Sequence, residues 1–531
     1  MGINATEQIT NGQTFLGIEF GSTRIKAVLI GDDFSVIASG SHTWENHLTD
    51  GIWTYPLDEI HEGFRSCYSS LKKDVRDRYG AELRKLAGIG VSGMMHGYMP
   101  FDDKDNLLVP FRTWRNTITA EAADMLTKLF NYNIPQRWSI AHLCQAILNK
   151  ESHIGNISFI TTLAGYIHYR LTGKKAVGVG EASGMFPIDP ATQDYDKSME
   201  SDFNKFLKKN GISKNLREIL PIALPAGADA GRLTPEGAAF IDPDGDLEPG
   251  IPLCPPEGDA GTGMTATNSV AVRTANVSAG TSIFAMVVLE EKLKKVYREI
   301  DLVTTPAGDL VGMVHCNNCT SDLNAWIGIL KESLGVFGSE VDSDTLYTKL
   351  FEYALRGDSD CGGVVSYNYY SGEGVTDLNE GRPLLAREQN ARFSLANLMR
   401  ANLYSCVATL KLGCDIMLKD EGVSVDKVLG HGGLFKTKGV GQSILAAALN
   451  APVSVMETAG EGGAWGMALL AAYSEFSDKL SLSEFLDKKV FANMKATTLS
   501  PDPEDVSGFN AYIEKFRSAL AVEKAAISAL K

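Results

Sequence analysis

The chain has 531 residues, 44% of them hydrophobic and 22% charged, with a formal net charge of −15. This is the composition of a globular protein too long for one hydrophobic core, so roughly two to four domains are expected. The acidic balance argues against a nucleic-acid or anionic-membrane surface, both of which need a basic face, and no apolar run reaches the ~18 residues that would span a bilayer.

The chain begins MGINATEQITNGQ, polar and without the apolar core of a secretory signal. Gly2 and Thr6 match the bare myristoylation pattern, but no basic cluster or second anchor follows, so the segment reads as a frayed tail. Eight cysteines is a low density, and most, such as Cys406 and Cys414, sit singly among apolar residues. Cys316 and Cys319 are close together, but a zinc site would need a second pair at matching spacing. The expectation is a reduced, cytoplasmic protein.

FLGIEFGSTRIKAVLI, residues 15–30, reads as a β-hairpin: two β-prone runs about a tight Gly21-Ser22-Thr23 turn. KLAGIGVSG reads as a buried strand, and YMPFD and LLVPFRTW flank the turn DDKDN. LTKLFNY, AHLCQAILNK and TTLAGYIHYRLTG carry helical periodicity. From about Leu220 to Gly263 the chain is rich in Gly and Pro and reads as a long loop, a kind of segment that is often functional. Then ANVSAGTSIFAMVVLE, residues 275–290, repeats the first hairpin with Gly280-Thr281-Ser282 at its turn. Two such hairpins about half a chain apart suggest two domains of similar design. SDLNAWIGILKESLG and the long run from FSLANLM onward are helical, VDKVLGHGG is a strand and glycine turn, GQSILAAALN a helix, PVSVME a strand and GGAWGMALLAAYSEF a helix. An amphipathic terminal helix begins near Asp505 and reads as packed on the surface.

Several of these segments suit phosphate and hydroxyl chemistry. A Gly-Ser/Thr turn lets successive backbone N–H groups form an anion nest, with the hydroxyls of Ser22, Thr23, Thr281 and Ser282 as further donors and Arg24 and Lys26 nearby. No Walker A motif is present. Gly432 and Gly433 would let a flat group lie against backbone, with Lys436 beside them. In CPPEGDAGTGM, residues 254–264, Asp259 stands on nearly bare backbone, as suits a carboxylate that a substrate must reach.

In order and spacing, GIEFGSTRIKAVLI, GVSGMMHGYMPFD, EGDAGTGM, NVSAGTSIF, LGHGGLFK and EGGAWGMALLAA resemble the motifs of the FGGY carbohydrate kinases, over about residues 14 to 480. The resemblance implies an α/β fold of two ribonuclease-H-like (actin-like ATPase) domains with a cleft between them. It places an N-terminal sugar-binding domain over residues 14–270, a C-terminal ATP-binding domain over 271–485 and a helical tail over 486–531. It implies ATP-dependent phosphorylation of a small sugar. Gly21, Ser22, Thr23, Lys26, Gly280, Thr281, Ser282, Gly432, Gly433 and Lys436 would lie on ATP, and Asp259 would be the general base. Glu19 and Asp259 would be the carboxylates toward Mg²⁺, with Glu19 standing where the family usually has Asp. An ordinary aspartate, with a pKa of about 4, is a weak base, so its first task is to orient the hydroxyl.

Met95 and His96 match the Met-His-Gly segment that lines the sugar in xylulokinases. Trp114 and Asn116 resemble a Trp-x-Asp segment, Glu181 takes the place of Asp in an Asp-Ala-Ser-Gly pattern, and Glu373 lies in a loop with Gly374 where the family has Arg, so the resemblance implies sugar contact by Met95, His96, Trp114, Asn116, Asp259 and Glu373. D-xylulose is the leading substrate, with L-ribulose, L-xylulose, another ketose, a polyol or gluconate as alternatives. A nucleotide-binding sensor of the same fold is the reading from another class. The expected partners are the sugar and ATP, without nucleic acid or membrane, and the family would also imply a homodimer.

Overall fold

A computed structural model describes residues 4–456 and 462–530, and they form two compact units. The first comprises the described residues up to Ala271, Leu302–Val311, and the described residues from Gly462 to Asn493. The second comprises the rest.

The first unit is built on a five-stranded sheet in the order Glu257–Gly258, Gly88–Gly93, Phe15–Phe20, Arg24–Ile30, Val36–Thr43. Phe15–Phe20 and Arg24–Ile30 are antiparallel, with Glu19 opposite Lys26, so the predicted hairpin forms. Glu257–Gly258, Gly88–Gly93 and Phe15–Phe20 run parallel. Their apolar side chains are buried on both faces, as strands between helical layers require. The Leu57–Tyr79 helix packs on Val36–Thr43 and Arg24–Ile30, and the Gly463–Tyr473 helix on Phe15–Phe20 and Gly88–Gly93. Glycine is obligatory at this second contact. A Cβ on Gly17 would lie 2.1 Å from the Ala464 carbonyl oxygen and 2.4 Å from the Ala468 nitrogen.

The second unit repeats the device in a sheet that contains, in order, Ile283–Val288, Thr274–Ala279, Lys427–His431, Val453–Met456 and Ala496–Leu499. Thr274–Ala279 pairs antiparallel with Ile283–Val288 and parallel with Lys427–His431. Most of the predicted helices form, among them Ser139–Leu148, Leu163–Thr172, Ser321–Val336, Leu395–Asp415 and Val440–Leu449.

Three expectations change. Residues 5–11 are a helix rather than a frayed tail, because the Asn4 side chain caps the Glu7 N–H and Gly12 closes the end with φ 69°. The stretch from Leu220 to Gly263 is not a long loop. Thr234 caps a Pro235–Ile241 helix, and Lys72 Nζ ties down the following turn at 2.7 Å from both Asp242 and Asp246. The predicted DDKDN turn forms, with the Asp102 N–H donating to the Asn106 carbonyl at 3.1 Å and bridges from Phe101 to Leu107 and Tyr98 to Arg112, while Met99–Phe101 also pairs with Phe159–Thr161. The terminal helix runs from Pro503 to Ala529 and is not merely superficial, since Phe509, Tyr512 and Phe516 are fully buried.

Candidate active site

In the first unit the three parallel strands deliver three predicted segments from their carboxyl ends. Phe20 leads into Gly21-Ser22-Thr23, Gly93 into Met94-Met95-His96, and Gly258 into Asp259. The carboxyl edge of a parallel sheet is where open α/β proteins place ligands. Phe20 and Gly93 are register partners, as are Gly93 and Gly258, and the Met94 N–H donates to the Phe20 carbonyl at 3.0 Å.

Asp259 is the first residue of the Asp259–Ala266 helix and remains partly exposed. Its Oδ1 accepts the Met95 N–H at 3.1 Å, which ties the predicted base to the predicted sugar loop. Desolvation raises its pKa above the ordinary carboxylate value, while the Met95 and Ala260 N–H groups oppose the rise. Glu19 lies at the start of the Gly463–Tyr473 helix, where its Oε2 accepts the Ala464 N–H at 3.1 Å. Its pKa is pushed to about 7, chiefly by desolvation and then by the charge of Asp259. Two carboxylates in mutual repulsion are a hard-oxygen donor pair that a divalent cation such as Mg²⁺ would fit. Gly463 leaves room for this carboxylate: a Cβ there would sit 2.5 Å from Glu19 Oε1. Glu461, the first residue of the EGGAWG motif, lies outside the described residues.

His96 is buried in a left-handed conformation, φ 73°, an uncommon one for a bulky residue and of a kind that gathers at functional sites. Its Nδ1 lies 3.2 Å from the Gly184 carbonyl, which favours the tautomer with hydrogen on Nδ1, and its ring stacks on Trp138 at 6.3 Å. Gly184 is required, since a Cβ there would lie 2.6 Å from Nδ1. Met95 is buried beside Gly258. Trp114 is exposed at 37%. Asn116 is buried, and its amide bridges Trp53 N at 2.9 Å, Trp53 O at 2.8 Å and Thr113 O at 3.0 Å, so both amide hydrogens are committed to backbone.

Two residues on this side escaped the sequence reading as participants. Glu257 accepts the N–H groups of Gly180 and Glu181 at 3.2 and 2.9 Å, holding the Val179–Ser183 helix against the sheet. The motif contained a signal: an acid two residues before Asp259 on the same bare backbone, with glycines at 178 and 180 whose Cβ atoms would strike it. Trp138 had none, as it lies far from His96 in sequence.

The second unit holds the remaining predicted residues. Gly280-Thr281-Ser282 turns between its strands with the Gly280 N–H bonded to Ser282 O at 2.9 Å. Gly432 follows the parallel strand with φ 100°, and a Cβ on it would lie 2.4 Å from the Ala279 carbonyl. The two glycine segments are therefore adjacent, and Lys436 nearby is exposed. His431 is half-buried, and desolvation lowers its pKa to about 4. Glu373 is almost fully buried and accepts hydrogen bonds from Asn317 and Asn318. All eight cysteines are free and buried, and no group of three or more potential metal ligands of the His, Cys, Asp or Glu type occurs among the described residues.

Comparison with known proteins shows the family. The model of the FGGY family of carbohydrate kinases, N-terminal domain, matches residues 14–260, and that of the C-terminal domain matches residues 275–475. A xylulose kinase of Haemophilus influenzae is 22% identical over 457 residues, covering 82% of this chain and 84% of the relative. Two solved structures share the fold. The xylulose kinase of Rhodospirillum rubrum has a TM-score of 0.77 at 19% identity and covers 96% of this chain and 98% of its own. The gluconate kinase of Lactobacillus acidophilus has a TM-score of 0.77 at 16% identity and covers 96% and 99%.

Proposed function

Because the chain belongs to the FGGY family of carbohydrate kinases, with its two-domain actin-like ATPase fold, we propose that it phosphorylates a small ketose, D-xylulose first among them, with Asp259 as general base. The observation that carries the proposal is the hydrogen bond from Met95 N to Asp259 Oδ1. It sets the base against the Met95-His96 segment, which in the family's xylulokinases lines the sugar. Xylulose is also the substrate in the names of several relatives. Gluconate kinase occurs among the structural neighbours, so gluconate is the second candidate.

The family's reaction is transfer of the ATP γ-phosphoryl group to a sugar hydroxyl. In this reading the hydroxyl donates its hydrogen bond to Asp259, its oxygen bonds to phosphorus as the bond to ADP breaks, and the proton passes to the carboxylate. Desolvation favours proton acceptance by Asp259. His96, Met95 and Trp114 orient the sugar, and Asn116 supports them by fixing Trp53. Gly21-Ser22-Thr23 with Lys26 and Gly280-Thr281-Ser282 take phosphate oxygens, while Gly432, Gly433 and Lys436 take the nucleoside end. Glu19 and Asp259 would hold Mg²⁺, which when bound neutralises phosphate charge.

The test is ADP release from MgATP with D-xylulose, L-ribulose, L-xylulose, polyols and gluconate, using Asp259→Asn as the blank. Turnover on D-xylulose that drops ~10²–10⁴-fold in the variant is expected. Selective turnover on gluconate would transfer the same mechanism to that acid. A variant as fast as wild type would remove Asp259 from the base role.

A further inference from the structure

The Gly280–Ser282 turn is braced from behind. The Gly280 carbonyl accepts two hydrogen bonds from Thr320, one from N at 3.2 Å and one from Oγ1 at 2.8 Å. The Thr281 carbonyl accepts the Cys319 N–H at 2.9 Å. The backbone that would present N–H groups to phosphate is thus set by residues 319 and 320.

Those residues are held in turn by one carboxylate. Oε2 of Glu373 accepts the backbone N–H of Asn317 at 3.0 Å and of Asn318 at 3.4 Å, and the Asn318 side-chain amide at 3.1 Å. Asn318 Oδ1 accepts from the N–H groups of Tyr370 and Ser371 at 2.9 and 3.1 Å, and Asn368 donates to the Cys319 carbonyl at 2.7 Å. Segment 317–320 is therefore clamped to the loop at 368–373, and Glu373 is its central acceptor. The side chain of Glu373 is 1% exposed, and Gly374, next to it, brings no counter-charge. A buried carboxylate without a cationic partner is costly, and its backbone donors are what offset that cost.

We propose that Glu373 is a positioning residue for the second phosphate turn. It fixes residues 317–320, these fix the carbonyls of Gly280 and Thr281, and nucleotide affinity follows without Glu373 touching nucleotide or sugar. This moves Glu373 from the sugar side, where its loop motif put it, to the nucleotide side. The inference rests on the reading of Gly280–Ser282 as a phosphate turn.

The experiment compares wild type, Glu373→Ala and Glu373→Gln in titrations with the fluorescent analogue TNP-ATP, which do not depend on the identity of the sugar, and in steady-state KM values for ATP and sugar. Loss of the acceptor should weaken nucleotide binding about tenfold, as expected for buried donors left unpaired. Glutamine retains a carbonyl in the same place and should recover affinity to within about threefold. The sugar KM should stay within about twofold in both variants, a split that general loss of structure would not produce. If Glu373→Ala does not fold by circular dichroism, Thr320→Val, which removes only the hydroxyl bond to Gly280, should still weaken TNP-ATP about threefold. Unchanged affinity in whichever of the two variants folds overturns the proposal while leaving the kinase reading intact. A sugar KM that moves as far as that for ATP returns Glu373 to the sugar side. Wild type that binds no TNP-ATP removes the phosphate turn itself, and the proposal with it.

Discussion

Replacing Gly463 with alanine should damage catalysis while sparing the fold. The new Cβ would lie 2.5 Å from Glu19 Oε1 and 2.8 Å from Thr262 Oγ1. Ordinary carbon contacts are near 3.5 Å, so about 1 Å must be yielded. Both obstructing atoms are ends of side chains, and Gly463 has no positive φ, so the backbone accepts alanine without strain. Alanine also gains up to ~1 kcal/mol of helix preference over glycine. The displaced group is therefore the Glu19 carboxylate, which would slide off the Ala464 N–H. A misplacement of about 1 Å at a reacting centre can cost on the order of 10²-fold in rate. Initial rates of ADP release, with thermal unfolding in parallel, give the two readings. The expected result is kcat reduced about 100-fold with stability within ~1 kcal/mol of wild type. A variant with kcat within about threefold of wild type and unchanged stability would refute the placement of Glu19 in the chemistry.

Gly17→Ala should do the reverse of this to stability, because its Cβ meets backbone of the Gly463–Tyr473 helix at 2.1 Å, and backbone cannot rotate away. A loss of ~3 kcal/mol is expected in urea denaturation, and a loss below ~0.5 kcal/mol would contradict the close packing. If His96 contacts sugar as proposed, His96→Ala should raise the KM for sugar by more than ~10-fold and leave that for ATP within about twofold. Acid sensitivity should follow His142, whose pKa is lowered to about 3 by burial first and by the Arg112 charge second. The native state takes up this proton later than the unfolded chain, so the stability His142 contributes is present above its usual pKa of about 6.5 and is lost as pH falls toward 3. Near pH 5 the loss from this group is about 2 kcal/mol, and His142→Phe should remove that part of the acid limb in urea midpoints measured across pH.

What could be read from the chain was what lies close together along it. Gly21-Ser22-Thr23, Gly280-Thr281-Ser282, Met95-His96 and Asp259 are each specified within a few residues, by a turn or by bare backbone between apolar runs. Asn116 illustrates the limit. Its position in a Trp-x-Asn segment pointed to sugar, but its amide is taken up by Trp53, which no local pattern predicts. Glu373 was visible as a motif residue, yet its donors lie 55 and 56 residues away on another strand's exit. The Pro235–Ile241 helix was obscured by its own glycine and proline, although proline at a helix start is favourable.

The Gly463–Tyr473 helix has a bearing on how the protein is made. It completes the first unit, yet the Ala464 N–H and the Glu19 carboxylate are 445 residues apart in the chain. At ribosomal rates of roughly 5–20 residues per second, the Phe15–Phe20 strand emerges some 20–90 s before the helix that covers it. During that interval the apolar side of Phe15–Phe20 and Gly88–Gly93 has no native neighbour there, so a nascent chain halted before Gly463 leaves that apolar face uncovered. The Glu19 carboxylate gains its Ala464 partner only once residue 464 has been added.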